Sequence, residues 1–240
     1  MKRIISLLLL LSLCLGLFSG CGRKIDNSAY IATGDAILME GEEPEEILVD
    51  EEAQELTLAY YPDRKLNPLF GSDYTNRILM SLMYQPLFAV DNRKNPTPIL
   101  AGKYQVSANS RNVTVWLDEN ATFSDGSYVT PHDVIATYQQ AKVNDYYCNR
   151  FTHLIDIVLA EDGKGILFQL DTAYANFMQL MDVPIVKASE VEAAIPMGTG
   201  PYVFAESASG ATLQRNPGWW CGNAKIPATD IAINLVEVSS

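Results

Sequence analysis

Histidine is scarce in this chain, and the residue patterns that catalysis and metal binding require are missing. The 240 residues include two histidines and four cysteines. His132 falls in the first turn of a predicted helix, an exposed position typical of a solvated side chain. No Gly-x-Ser-x-Gly elbow occurs after residue 20, and the spacing of Cys148, His153 and Cys221 matches no regular zinc pattern. The sequence therefore predicts no enzyme, no cofactor and no metal site.

Basic residues are also few. Lys and Arg number 17 against 29 Asp and Glu, which gives a formal net charge of -12. Binding to a phosphate backbone needs clustered Lys and Arg, so this balance argues against nucleic acid as a partner. Ten acidic residues and no basic residue lie between Asp35 and Glu55. Like charges repel, so we expect residues 21–54 to form an extended, acidic, flexible linker, with an acidic metal-binding tail as the alternative.

Only one long apolar run is present, Ile4 to Phe18, and it follows the positive Met1-Lys2-Arg3. The run is too short for a stable membrane span and is typical of an export signal over residues 1–20. Ser19-Gly20-Cys21 resembles the bacterial lipobox, in which the cysteine is diacylated and becomes the new N-terminus. We therefore expect an extracytoplasmic protein that is anchored to the bacterial membrane through Cys21, with plain secretion after cleavage nearby as the alternative.

Cleavage would remove Cys14, and lipidation would consume Cys21. Cys148 and Cys221 would then remain in an oxidising compartment. A disulfide needs Cα atoms about 4.4 to 6.8 Å apart. The sequence leaves open whether this pair forms.

The most informative stretch runs from Val113 to Tyr138. Alternating apolar residues up to Leu117 predict a strand, and Ser124-Asp125-Gly126 is typical of a turn. Thr130, Pro131 and Asp133 fit the N-cap, first position and third position of a helix. The sequence therefore predicts a strand, a double turn and a capped helix whose apolar face carries Val134, Ile135, Tyr138 and Ala141.

The remaining elements follow from the same periodicities. Strands are predicted at Leu56 to Tyr60 and through Ile231, Ile233 and Leu235, and hairpins are predicted from Leu154–Leu159 with Ile166–Leu170 and from Val203–Glu206 with Ala211–Arg215. Helices are predicted over Tyr74 to Met83 and Tyr174 to Met181, and Val183 to Val186 is predicted as a strand or strand end. Tyr84 to Leu100 is rich in proline and is expected to be a loop. The balance of strands and helices indicates a mixed α/β domain with a smaller appended subdomain.

Several motifs in order resemble the family 5 extracellular solute-binding proteins, the peptide, dipeptide and nickel receptors of ABC importers. The resemblance covers about Glu55 to Glu237. The motifs are Asn67-Pro68-Leu69, Tyr84-x-Pro86-Leu87-Phe88, Pro98-x-Leu100-Ala101, Phe123-Ser124-Asp125-Gly126, Val129-Thr130-Pro131-His132-Asp133-Val134, Gly198-Thr199-Gly200-Pro201-Tyr202 and Arg215-Asn216-Pro217-x-Trp219-Trp220.

The resemblance implies a fold of the type II periplasmic-binding-protein class, in which two lobes close on an extended peptide. Members of the family are considerably longer, so residues 55–240 would be the N-terminal lobe without the second lobe. The expected partners are an oligopeptide or similar small solute, ABC permease subunits and the membrane through the lipid anchor. The family segments beside the cleft correspond to Leu66, Asn67 and Pro68 and to Gly198, Thr199, Gly200 and Tyr202. The alternative is a ligand-incompetent paralogue or gene remnant that acts as a docking module for a permease or sensor.

Overall fold

The computed structural model describes residues 56–71, 73–222 and 233–238. The predicted signal peptide, Cys21 and the acidic linker lie outside these residues. Within the described ranges the strands are β1 (Leu56–Tyr60), β2 (Phe88–Val90), β3 (Pro96–Pro98), β4 (Ala101–Val106), β5 (Asn112–Leu117), β6 (Leu154–Leu159), β7 (Ile166–Leu170), β8 (Tyr202–Ser207), β9 (Gly210–Arg215) and β10 (Ile233–Glu237). The α-helices are α1 (Tyr74–Met83) and α2 (Pro131–Val143), and short 3-10 helices form at Cys148–Arg150, Phe177–Leu180 and Ala188–Glu190.

The strands form two four-stranded sheets and a small hairpin. The first sheet has the order β1-β10-β9-β8, with β1 parallel to β10 and the other pairs antiparallel. The second sheet has the order β4-β5-β7-β6 and is antiparallel throughout. The β2–β3 hairpin is a separate two-stranded sheet. The architecture is the predicted mixed α/β fold.

Helix α2 covers the second sheet with the face that the sequence predicted. Val134, Tyr138 and Ala141 are buried, and the Tyr138 ring meets Phe168 of β7 edge-on at a centroid distance of 5.0 Å. The helix begins with a capping box, in which the Thr130 N–H donates to Asp133 Oδ2 at 2.8 Å. Such caps stabilise a helix by about 1 kcal/mol because they satisfy donors that have no partner within the helix.

Three short stretches differ from the prediction. Tyr84 to Leu100 is not wholly a loop, because it contains the β2–β3 hairpin. Pro96 and Pro98 are tolerated there because β3 pairs only with β2, and proline is compatible with such an edge. Of Tyr174 to Met181, only the 3-10 helix Phe177–Leu180 forms, and its N-cap Asn176 supplies no side-chain cap. Val183 to Val186 makes a single bridge, Pro86 to Pro184, because Pro184 has no N–H for a ladder.

The Gly198 to Gly200 backbone lies directly on the last turn of α1. The Gly200 N–H donates to the Met83 carbonyl at 2.8 Å. A Cβ on Gly200 would lie 2.4 Å from the Leu82 carbonyl oxygen, and one on Gly198 would lie 2.1 Å from that of Met83. Neither glycine is among the described residues with positive φ. These glycines are therefore required by close approach of two backbones rather than by an unusual backbone conformation.

The other side of the same segment is attached to the turn before α2. The Ser124 N–H donates to the Gly198 carbonyl at 2.9 Å, and the Ala188 N–H donates to Asp133 Oδ1 at 2.8 Å. Lys187 forms an ion pair with Asp125, which also accepts from the Ser127 N–H and hydroxyl. These donors, with Lys187 first, lower the pKa of Asp125 to about 2. The segment from Lys187 to Gly200 is thus held between α1 and the start of α2.

Substituting Gly200 by Ala is expected to destabilise the fold by about 1–3 kcal/mol or more, because the new methyl group would overlap backbone atoms that cannot rotate away. Urea unfolding followed by circular dichroism measures the change. The control is Gly218→Ala, because a Cβ there would have its nearest neighbour 3.7 Å away. The control is expected to change stability by only about 0.5 kcal/mol. Equal unfolding midpoints for the two variants would contradict the packing described here.

Candidate functional site

A groove opens at the carboxyl end of β1. Because β1 and β10 are parallel, with Tyr60 opposite Glu237, both strands end at this edge of the first sheet. Ligands of open α/β sheets bind outside the carboxyl ends of strands. The groove encloses about 210 Å³. Its lining consists of Tyr60, Pro62, Asp63, Arg64, Lys65, Leu66, Ala194, Ile195, Phe204 and Glu206.

Charges of both signs line the groove. Asp63, Arg64 and Lys65 are consecutive exposed residues, and Glu206 contributes a carboxylate from β8. Arg64 is engaged with Asp73 at 2.5 Å. The Lys65 ammonium lies 4.6 Å from the Phe70 ring centroid and forms no ion pair with another described residue. A ligand that carries both an amine and a carboxylate would find a partner for each charge here.

Aromatic rings provide the apolar part of the groove. Tyr60 is buried, and its ring lies 6.0 Å from that of Phe204. Its hydroxyl donates to Glu237 Oε1 at 3.4 Å. Burial first, and then the negative charge of Glu237, raises the pKa of Tyr60. The hydroxyl therefore stays protonated at neutral pH and remains a hydrogen-bond donor.

Helix α1 fixes the loop that forms one wall. The buried Asn76 side chain accepts from the Tyr61 N–H at 2.8 Å and donates to the Tyr61 carbonyl at 3.0 Å. At the other end of the helix, the Tyr84 hydroxyl lies 2.8 Å from the Leu66 carbonyl and 3.0 Å from the Pro196 carbonyl. Burial raises the pKa of Tyr84, so this donor stays in place at all ordinary pH values. The two walls of the groove, the loop from Tyr61 to Leu66 and the segment that ends at Pro196, are therefore both hydrogen-bonded to side chains at the two ends of α1.

The predicted residues of the first loop have different positions. Leu66 lines the groove. Asn67 is fully buried below it, where its Nδ2 donates to the carbonyls of Val191 at 3.0 Å and Ala193 at 2.8 Å. Its Oδ1 accepts from the Leu69 N–H at 2.9 Å. Pro68 faces a separate cleft beside Met80. Asn67 thus links the first loop to the segment that contains Val191 and Ala193. Direct contact of Leu66, Asn67 and Pro68 with a ligand stays a prediction.

None of the predicted residues of the second segment lines the groove. Thr199 is buried, and its Oγ1 accepts from the Gln85 N–H at 3.1 Å. Gly198 and Gly200 pack against α1, as described above. Tyr202 is half-buried on β8, two residues before Phe204 and therefore on the same face. The structure brings both predicted segments onto the end of α1, and their direct contact with a ligand stays a prediction.

Sequence reasoning did not identify Tyr60, Arg64, Lys65, Phe204 and Glu206 as lining residues. Two signals were available. Tyr60 is the last residue of a strand whose alternation was recognised, and three charged residues follow it closely. Phe204 and Glu206 share the two-residue period of a strand that was also recognised. The local sequence pattern gives no signal for the parallel pairing of β1 with β10. That pairing brings these side chains to one edge of the first sheet.

Three further observations concern the cysteines, the metal-ligating side chains and the helices. The pairing of Cys148 with Cys221, which the sequence left open, is not formed in this structure. Within the described ranges, no group of three or more His, Cys, Asp or Glu side chains is arranged to hold a metal ion. None of the described helices is long and apolar enough to cross a membrane.

Comparison with known proteins shows which family the sequence matches. Residues 95–237 match the family described as bacterial extracellular solute-binding proteins, family 5. The glutathione-binding protein GsiB of Pectobacterium atrosepticum is 25% identical over 178 residues, which cover 69% of this chain and 34% of that protein. Protein XP55 of Streptomyces lividans is 28% identical over 192 residues, covering 73% and 34%. The chain thus spans about a third of the length of these curated relatives.

Solved structures share the fold. The oligopeptide-binding protein AppA of Bacillus subtilis, solved with a nonapeptide, aligns with a TM-score of 0.62 at 20% identity, over 76% of this chain and 40% of that one. NikZ of Campylobacter jejuni, solved with Ni(L-His), aligns with a TM-score of 0.60 at 18% identity, over 76% and 39%. The match of more than half of the sequence to the family shows that this chain belongs to the family 5 bacterial extracellular solute-binding proteins.

Proposed function

We propose that the chain is the substrate-binding component of an ABC importer, that it binds oligopeptides, and that residues 55–240 supply the N-terminal lobe of the binding site. The single observation that carries the choice of ligand is the groove at the end of β1. It combines Asp63 and Glu206, the aromatic rings of Tyr60 and Phe204, and the ammonium of Lys65, which forms no ion pair with another described residue. A short peptide has an ammonium, a carboxylate and apolar side chains, and so matches each of these groups.

The names of the similar proteins agree with this choice without deciding it. GsiB is named for glutathione, which is itself a small peptide, and AppA was solved with a nonapeptide. NikZ was solved with a nickel–histidine complex. Peptide and metal-chelate ligands both occur among these proteins. The lining of the groove in this chain is what favours a zwitterionic peptide.

The proposed mechanism is closure on the ligand. The described lobe offers one side of a cleft, and a second lobe would provide the other side. A ligand that contacts both lobes favours the closed state by its differential affinity for it. The rigid attachment of both groove walls to α1 suits this role, because a preorganised wall needs little ordering when the ligand binds.

Calorimetry with a pool of random tripeptides to pentapeptides, added to the full gene product, tests the proposal. We expect saturable heat. Lys65→Glu is expected to weaken binding by up to about fivefold, since an exposed charge contact contributes at most about 1 kcal/mol. The matched control is Lys164→Glu in the β6–β7 turn, which is expected to bind like the parent chain.

Two results would count against peptide binding. The absence of heat with the whole pool would contradict it directly. Capture of a permease or sensor by the peptide-free protein, together with that absence, would instead support the alternative of a ligand-incompetent docking module.

We also propose that the protein is extracytoplasmic and lipid-anchored through Cys21. The support is the apolar leader and the Ser19-Gly20-Cys21 sequence. Expressed in a bacterial host, the parent chain is expected to enter the detergent phase on Triton X-114 partition, and Cys21→Ser is expected to stay in the aqueous phase. Equal partition of both proteins would overturn the lipid anchor and would favour plain secretion.

A further inference from the structure

A second cleft, separate from the groove, lies between the β4–β5 edge of the second sheet and the turn that follows β9. It encloses about 650 Å³. It shares no lining residue with the groove at the end of β1. The residues that matter for its chemistry are Gln85, Gly102, Asp118, Asn120, Trp219 and Trp220.

One wall consists of two indole rings in fixed positions. The Nε1–H groups of Trp219 and Trp220 both donate to Gln85 Oε1, at 3.3 and 2.8 Å, and that of Trp219 also reaches the Thr199 carbonyl at 3.1 Å. The backbone of Gln85 is anchored by Thr199 Oγ1 at 3.1 Å and by the Ile185 N–H at 2.9 Å. An indole has a single donor. Because both donors are already engaged, what the rings present to the cleft is aromatic carbon surface.

The opposite wall carries a carboxylate. The Asp118 N–H donates to the Leu100 carbonyl at 2.9 Å, and its Oδ1 accepts from the Asn120 N–H at 2.9 Å and from Asn120 Nδ2 at 3.1 Å. The backbone of β4 passes so close at Gly102 that a Cβ there would lie 3.0 Å from the Asp118 Cα. Asp118 is therefore held in place by its turn and by the neighbouring strand.

Asp118 is the charged residue in the described lining of this cleft. Among the described residues Asp118 forms no ion pair, and the cleft lining contains no described Lys, Arg or His. Asp118 is half-buried and lines the same cleft as the two indole rings, and no described residue forms an ion pair with it. Such a carboxylate repels anions. It attracts a positive group that can contact the rings, since Trp is the strongest of the aromatic partners for cations.

We propose that this cleft is a binding site for an organic ammonium ion, with the positive charge near Asp118 and the alkyl groups against Trp219 and Trp220. The same chemistry is offered by a free small amine and by the side chain of a lysine in a peptide. The cleft is roomy enough for either, since small-ligand pockets typically enclose about 300–1,000 Å³.

Tryptophan fluorescence of the full chain tests this proposal with three probes: choline, its neutral carbon analogue 3,3-dimethylbutan-1-ol, and Nα-acetyl-lysine methylamide. We expect a saturable change with choline and at least about tenfold weaker binding of the neutral analogue, the factor that corresponds to losing one charge-dependent contact. Trp116→Phe should leave the response unchanged, because the Trp116 indole is bonded to Asp162 elsewhere in the chain.

Two further variants locate the site. Asp118→Asn keeps a side chain that forms the same turn, so the fold should be retained while choline binding falls by about tenfold. Trp220→Leu should abolish the fluorescence response to choline, and its folding is checked by circular dichroism. If the blocked lysine binds as tightly as choline, a basic side chain is a ligand of the site; if it does not bind, the ligand is a free amine. Both of these results support the ammonium site.

The proposal is overturned by any of three results. Equal affinity for choline and its neutral analogue would show an apolar pocket without charge selection. An unchanged choline affinity in Asp118→Asn would show that the carboxylate does not contribute. The absence of a saturable response to both ammonium probes would show that the cleft binds no ammonium ion.

Discussion

The contact between the Gly198–Gly200 backbone and the end of α1 is the constraint on which the rest of this structure depends. Two backbones approach so closely that no side chain fits at either glycine. That approach brings Thr199 to Gln85 and Pro196 to Tyr84. The same segment is bonded on its other side to the turn before α2. One short stretch of chain thereby connects the first sheet, the helix that supports the groove and the helix that covers the second sheet.

Local chemistry explains what the sequence predicted well. The capped start of α2, the strand before it and both long hairpins follow from turn residues and apolar periods that act within a few positions. The predictions from the sequence were less accurate where tertiary contacts determine the secondary structure. A hairpin forms despite Pro96 and Pro98 because its second strand has one neighbour only. A predicted helix shortens to Phe177–Leu180 because the apolar period there is not supported by a side-chain cap.

In the candidate site, too, local sequence patterns predicted some features, and tertiary contacts decided the others. Motif resemblance pointed to Asn67 and to the segment around Thr199. Neither lines the groove: Asn67 bonds the backbone at Val191 and Ala193, and Thr199 bonds the backbone of Gln85. Their contact with a ligand stays a prediction. Residues such as Tyr60 and Phe204 line the groove because β1 pairs in parallel with β10, in which each partner lies 177 residues later in the chain. A pairing of that sequence separation leaves no local signal. Constrained motifs are therefore good evidence for the family and indirect evidence for the contacts with a ligand.

Native-state hydrogen exchange measured by NMR tests most directly whether the groove walls, α1 and the Lys187–Gly200 segment form one rigid unit. The informative amides are those of Gly200, bonded to Met83, Ser124, bonded to Gly198, and Tyr61, bonded to Asn76. We predict that they exchange with the same opening free energy as the paired core of the second sheet, because none can open unless the whole unit opens. Exchange as rapid as that of the exposed turn at Asp91 to Asn95 would contradict this account.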